Sequence, residues 1–412
     1  MDAWLLTSTA IVLFMTIPGL ALFYGGLVRA KNFLSVLMQC FAITGLISIV
    51  WMVIGYVLSS TTGGDGPANP YIGLDFSQIF MATTPHADMA GAAFGLTFAI
   101  ITPALILGAY AERVKFSFVM LFSAIWVVVV YCPLAYWVWM VGLGGEGEYA
   151  GASPLEWVTG VAPLDWAGGL VVHQAAGVAA LVIAVMLGKR AGFPNALQPP
   201  AQPGMVMIGA SMLWIGWFGF NSGLSGDQAN AGYVIFSTQV AAAGASIAWV
   251  LFETMRTGKP TLVGAATGAV AGLVAITPAV GVVSVPGALI LGLIAGVLPQ
   301  LAIPLIKSTF KIDDALDVFA VHGVAGITGT LLLPFLAFIG TNGDAALVAE
   351  VGVMKQFITQ LWSVVFSAAY VAIATFIIAV ICRAVVGMRA EDEAVADGLD
   401  LASHGERAYD LT

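Results

Sequence analysis

The chain has 412 residues, of which 60% are apolar and only 9% charged, whereas a soluble domain carries roughly 25% charged side chains, so a soluble globular fold is excluded. Its 23 acidic and 14 basic residues leave a formal charge of −9, which argues against a nucleic-acid partner. Forty-eight glycines and eighteen prolines are scattered without a short period through Leu, Val, Ile, Ala and Phe runs, which excludes collagen-like and disordered chains. At roughly 20 apolar residues per crossing, the composition predicts an all-α polytopic membrane protein.

Apolar runs between punctuation predict spans near 4–28, 34–59, 91–111, 116–143, 166–188, 204–225, 231–254, 261–280, 283–306, 316–339 and 352–386, eleven helices in all. The first carries Asp2 rather than a basic leader, and its positive charge follows it, so it reads as a retained helix and not a secretory signal. Basic residues test the count. Arg29 and Lys31 follow span 1, Arg113 and Lys115 span 3, Lys189 and Arg190 span 5, Arg256 and Lys259 span 7, Lys307 and Lys311 span 9, Arg383 and Arg389 span 11. Only odd-numbered spans end in positive charge. Lys355 alone falls on the other side, where Asp65, Asp75, Glu146, Glu148 and Asp227 lie. The expected topology has the amino terminus outside and the tail inside.

Spans 1–5 and 6–10 hold five helices each, and an odd number forces the two halves into opposite orientations, an inverted repeat. Val172-His173 with Ala176-Gly177 and Val321-His322 with Ala325-Gly326 share the pattern VHxxAG on the fifth helix of each half. The expected division is 1–190 for the first repeat, 191–345 for the second, 346–387 for the eleventh helix and 388–412 for a cytoplasmic tail.

His173 stands eight residues after Asp165 on span 5, and His322 five residues after Asp317 on span 10. At about 1.5 Å per residue the two imidazoles approach the midplane from opposite sides. The small residues one turn on would let the helices come close. A structural hydrogen-bonded pair is one reading; matching depth in a medium where ionisable groups are costly favours a functional one. Asp165 and Asp317 read as helix caps. Phe98, Trp139, Trp214, Trp217, Phe218 and Phe220 are each compatible with packing or with interfacial anchoring, while a cluster of such rings would suit a cation. Cys40, Cys132 and Cys382 have neither metal-like nor disulfide-like spacing. Neither a metal nor any other cofactor is expected.

Phe98-Ala-Ile-Ile-Thr-Pro-Ala-Leu-Ile-Leu-Gly-Ala with Ala111-Glu-Arg, Asp165-Trp-Ala-Gly-Gly-Leu-Val-Val-His173, Gly216-Trp-Phe-Gly-Phe-Asn221 and Asp317-Val-Phe-Ala-Val-His322-Gly closely resemble the bacterial ammonium transporter (Amt) family. The match begins at Phe23-Tyr-Gly-Gly-Leu-Val-Arg-Ala-Lys-Asn32 and runs to the tail. The resemblance implies a homotrimer of eleven-helix subunits in the cytoplasmic membrane, each with its own pore. It also implies that Phe98 and Phe220 gate the pore mouth, that Trp139 and Asp165 belong to an outer cation site, and that His173 and His322 form a proton relay. Gly398-Leu-Asp400, His404-Gly-Glu406 and Ala408-Tyr409 resemble the family's tail motif, which implies a PII-type signalling partner and makes Gly398, Asp400, His404 and Tyr409 regulatory. Otherwise the acidic tail would read as a solvated segment. One departure matters most: Leu224 stands where the family usually places a vestibule serine, and on a helix Ser222 and Ser225 would point away from it. Leu170 and the run Phe94-Gly-Leu-Thr add to an outer site more apolar than is usual for the family. No role is predicted for His86.

The expected function is inward ammonium movement, with ammonia and the proton passing separately. Alternatives are an ammonium receptor with little flux, an electroneutral ammonia channel of the Rhesus type and, least favoured, an intramembrane enzyme, for which no nucleophile or metal-ligand set accompanies the histidines.

Overall fold

The computed structural model describes residues 2–60, 69–73, 75–143, 152–340 and 342–409. Asp65, Glu146, Glu148 and the last acidic residue of the tail, Asp410, lie outside the described residues. Among the described residues, ten helices are long and apolar enough to cross a membrane: α1 (Ala3–Leu27), α2 (Ala30–Ser59), α3 (His86–Tyr110), α4 (Phe116–Val141), α5 (Gly169–Leu187), α6 (Pro203–Ser222), α7 (Gln228–Thr257), α9 (Val285–Thr309), α10 (Phe319–Leu336) and α11 (Val353–Val386). Between α7 and α9 lies a shorter apolar helix, α8 (Leu262–Ile276). The eighth expected span is therefore curtailed. At 15 residues it extends about 22 Å, less than the roughly 30 Å hydrocarbon core.

The reason is local. Past Ile276 the chain turns at Thr277-Pro278, and the freed carbonyls of Pro278 and Thr277 accept the N–H groups of Trp166 and Ala167, at 3.1 and 3.2 Å. The same exchange delays α5, which starts at Gly169 rather than near 166. Two unwound segments thus satisfy each other's backbone, as they must wherever water is scarce.

Several helices widen locally into π geometry. Pro18 withholds an N–H from the ladder of α1 within the π segment Met15–Leu20. Both histidines of the VHxxAG pattern lie in such segments, His173 in Gly169–Gln174 and His322 in Phe319–Val324. Most of α5 is buried within the bundle, whereas most of α11 is not, so α5 is central and α11 peripheral. Polar side chains fasten the two together: Gln174 Nε2 donates to Val364 O at 2.7 Å and to Ser367 Oγ at 3.0 Å. On the outward side of α11, Ile373, Phe376, Ile377 and Ile381 remain exposed, as a surface facing lipid or another membrane-embedded chain requires. Cys40, Cys132 and Cys382 are free and buried.

The tail is folded against one face of the helix bundle. Residues 388–390 add to the loop between α3 and α4: Lys115 N–H donates to Met388 O and Ala390 N–H to Arg113 O, at 3.0 and 2.9 Å. Two short helices follow, α12 (Asp392–Asp397) and α13 (Leu399–His404). Asp400 Oδ1 accepts the Ser35 N–H at 2.7 Å, capping the start of α2 from the far end of the chain. Asn32 Oδ1 accepts the Leu399 N–H at 2.9 Å. Tyr409 packs on Phe33 and His404 meets Phe116 edge-on. At Gly398 φ is +105°, and a Cβ there would lie 2.6 Å from Lys31 O, so the helix junction requires glycine.

Candidate functional site

The site is assembled from α3, α4, α5, α6 and α10. Asp165 fixes its geometry. Its two carboxylate oxygens accept four backbone N–H groups, from Gly168, Gly169, Leu170 and Val171, at 2.6–3.2 Å. The side chain is fully buried, and these four bonds turn it into the first turn of α5 and away from any lumen. Its backbone carbonyl accepts Trp139 Nε1–H at 2.9 Å, so the cap of one helix orients the indole of another.

Beneath Trp139 the aromatic rings form a column. Phe98 presents its edge to Trp139 at 5.9 Å and stacks on Phe220 with centroids 4.0 Å apart at 15°. At that separation the rings touch and the path between them is closed. Phe220 lies 6.0 Å from His173, which also stacks on Trp217 at 5.1 Å. Trp217 is held in turn by its Nε1–H bond to Thr277 Oγ1, 2.8 Å long. Trp214 and Phe218 stand outside this column: Trp214 donates to Gln239 Oε1 on an exposed flank, and Phe218 lies on the partly exposed side of α6.

His173 and His322 meet through their Nδ1 edges, with the two ring planes nearly parallel. Their ring centroids are 5.4 Å apart and the planes 18° apart, with the Nδ1 atoms at 3.3 Å. Two neutral imidazoles bonded through Nδ1 need one donor and one acceptor there, so a proton sits on one of the pair. His173 Nε2 is buried and has no hydrogen-bond partner among the described residues. The approach rests on glycine. A Cβ on Gly177 would lie 2.5 Å from Gly323 Cα, and one on Gly326 would lie 2.9 Å from Gly169 O. His322 opens onto a cavity of about 280 Å³ on the tail face, also lined by Tyr24, Arg190, Glu253, Lys307 and Asp317.

The cap of α10 differs from the sequence expectation. Asp314, not Asp317, accepts the Phe319 N–H, at 2.7 Å, and Asp317 pairs with Lys307 at 2.7 Å. The spacing carried the signal: Asp165 to His173 and Asp314 to His322 are both eight residues. Leu224 lies beyond the end of α6 at Ser222 and is 67% exposed, so helical angles do not govern its neighbours. Ser225 is buried, and its hydroxyl has no partner among the described residues. His86 is exposed at the start of α3, remote from the pair.

Unpredicted from sequence is a charge network beneath the site. Arg190 binds Asp313 through Nε and Nη2, with the shortest contact 2.8 Å, and reaches Glu112 at 3.2 Å. Glu112 also accepts the N–H and Nε of Arg29 and the amide of Asn32. Burial opposes ionisation of Glu112 and Asp313, but Arg29 and Arg190 around the first and Arg190 and Arg113 around the second outweigh it, holding both carboxyls below their usual range.

Comparison with known proteins places the chain in a family. The profile of the Ammonium Transporter Family matches residues 3–409. An ammonium transporter of Aquifex aeolicus is 41% identical over 99% of this chain and 93% of its own length. Among solved structures, one titled Sensor Amt Protein superposes with a TM-score of 0.87 at 26% identity, covering 98% of both chains. Saccharomyces cerevisiae Mep2 superposes with a TM-score of 0.80 at 30% identity, covering 95% of this chain and 87% of that one. With ten membrane-length helices and a family match over almost its full length, the chain is a multi-pass membrane protein that belongs to the ammonium transporter family.

Proposed function

We propose that the chain carries ammonium inward across the cytoplasmic membrane by splitting it, so that ammonia and its proton pass the bundle separately. The observation that carries this reading is the 3.3 Å contact between two buried imidazoles, set between a closed aromatic stack and a polar cavity. Moving a bare small cation into a low-dielectric passage costs on the order of 20 kcal/mol by the Born estimate. A cation–π contact returns about 0.5–2 kcal/mol, so the intact ion does not cross.

In this mechanism the ion is desolvated beside Trp139, whose orientation Asp165 secures through its backbone. Phe98 and Phe220 swing apart and ammonia enters. The proton reaches His173 at Nε2, the Nδ1 proton moves to His322 Nδ1, and His322 releases the proton on its Nε2 into the tail-side cavity. Each passage inverts both tautomers, and a ring rotation resets the pair. Histidine suits this because its unperturbed pKa of about 6.5 lies close to neutrality.

The topology that goes with it has eleven crossings with the amino terminus outside. Here α8 crosses by pairing its turn with the start of α5, residues 1–190 and 191–345 are inverted repeats, and three chains assemble. Residues 388–412 form the platform for a PII-type partner, in which Gly398, Asp400, His404 and Tyr409 hold the tail in place. A receptor with little flux is the second reading, favoured by Leu224 at the outer end and by the likeness to the structure titled Sensor Amt Protein.

The test is the current in proteoliposomes after an ammonium pulse. His173→Ala and His322→Ala should abolish or strongly reduce it; full current in both variants would leave a structural pair and overturn the relay. Ammonium binding without current in the unaltered chain would favour the receptor.

A further inference from the structure

The cavity below His322 contains four charged side chains, and two of them are already committed. Arg190 is held by Asp313 and Glu112, and Glu253 accepts both the N–H and the hydroxyl of Thr261. Lys307 and Asp317 pair with each other through one 2.7 Å contact, with 17% and 25% of their side chains exposed, and the buried Asp314 carboxylate acts on both electrostatically. Neither caps a helix, since Asp314 performs that role for α10.

Asp317 is also set in an unusual backbone conformation. Three residues after the capping Asp165 stands Gly168, with φ +107°; three residues after the capping Asp314 stands Asp317, with φ +60°. The chain thus turns through the left-handed region at the start of α5 and again at the start of α10, a conformation that suits glycine and is costly for an L side chain. The first turn uses glycine, while the second keeps a carboxylate and directs it into the cavity that holds His322.

From this geometry we infer that Asp317 is the carboxylate that receives ammonium as it re-forms at the inner mouth, and that Lys307 is the resident cation that displaces it. The inference rests on the split-transport reading above. Ammonia leaving His322 gains the proton released from the imidazole path: one N–H bond forms on ammonia as one breaks on imidazole, and a positive charge appears beside the ion pair. Asp317 exchanges Lys307 for this ion, and return of Lys307 expels it to the cytoplasm. A tethered competitor at high local concentration keeps the site from filling from the inside.

Full-length protein in proteoliposomes tests this by trans-inhibition, the loss of inward current when ammonium is preloaded in the lumen. Lys307→Gln leaves the carboxylate without its competitor, so preloaded ammonium should halve the current at about a tenfold lower concentration, equivalent to about 1.4 kcal/mol. Asp317→Asn should lower the current and make trans-inhibition require about tenfold more ammonium. Asp317→Gly should do the same with undiminished thermal stability, because glycine fits φ +60°. Unaltered trans-inhibition in all three variants, with current lost in His322→Ala, would overturn the exchange while leaving the relay intact. Full current in His322→Ala would overturn the relay reading and this inference with it.

Discussion

At the scale of single residues, the paired imidazoles make a demand that no apolar isostere meets, because the Nδ1 contact needs a donor on one ring and an acceptor on the other, and the proposed relay needs a group that both holds and releases a proton. Replacing His173 or His322 by Asp should therefore retain part of the ammonium current. A fixed negative charge at that depth favours any monovalent cation, so the same variant should pass potassium, measured as current in potassium-only buffer. Strict exclusion of potassium by the Asp variants would show that the rings do not set selectivity. Asp165 makes a different demand. Its four N–H bonds belong to a charged acceptor, and each such bond is worth about 1.5–3 kcal/mol. Asp165→Ala should lower the melting temperature of the solubilised protein, and Asp165→Asn, which keeps one acceptor, should lower it less.

Leu224 presents an exposed apolar side chain at the position where, in the proposed reading, a hydroxyl would bind the ion. Introducing Leu224→Ser should lower the ammonium concentration for half-maximal current by roughly tenfold, about 1.4 kcal/mol, and Trp139→Leu should raise it. An unchanged midpoint in Leu224→Ser would show that this position does not control affinity. At this scale much of the column was legible, since His173, His322, Phe98, Phe220 and Trp139 are named by motif and brought together by the fold. Asp314 was missed because the nearer Asp317 also precedes the helix, and only the matched eight-residue spacing to histidine separates them. Trp217 was visible as an aromatic but not as the ring beneath His173, because helical phase alone cannot say which neighbour a side chain meets.

Among elements, the tail is the part whose structure departs furthest from its composition. An acidic stretch of low hydrophobicity reads as solvated, yet Asp400 caps α2 and Asn32 joins α13 to Glu112. The partners lie some 365 residues away in sequence, which is why no local signal reveals them. Truncation before Gly398 should leave the membrane helices folded, because all of them precede it, while abolishing capture of a PII-type partner. Capture at undiminished strength would refute the tail's role. The charge network under α5 and α10 carries a pH signature. Glu112 and Asp313 are held below their usual range, so the stability they contribute is present above about pH 4.5 and is lost as pH falls through their lowered values. Glu112→Gln removes one partner of a largely buried cluster and should cost up to about 3–5 kcal/mol at neutral pH, with a smaller further loss in acid. A thermal melt at pH 7 and pH 4 checks both signs. Span positions were legible from hydropathy to within a few residues, whereas the late start of α5 and the early end of α8 were not. Those boundaries come from backbone groups exchanged between the two segments.

For the whole molecule, the distribution of charge explains the layout. Basic residues ending odd-numbered spans and the folded tail share one face, and the closed aromatic stack separates Trp139 from the pair of imidazoles. The central claim is that charge and nitrogen cross together although the ion does not cross intact. Simultaneous recording of current and lumenal pH in proteoliposomes after an outside ammonium pulse, beside empty liposomes, tests it most directly. The split-transport account predicts an inward current that scales with protein and is absent from empty liposomes, with the proton delivered alongside ammonia so that protein-dependent alkalinisation of the lumen stays small. Rapid protein-dependent alkalinisation with no current would contradict it, because ammonia would then be crossing alone.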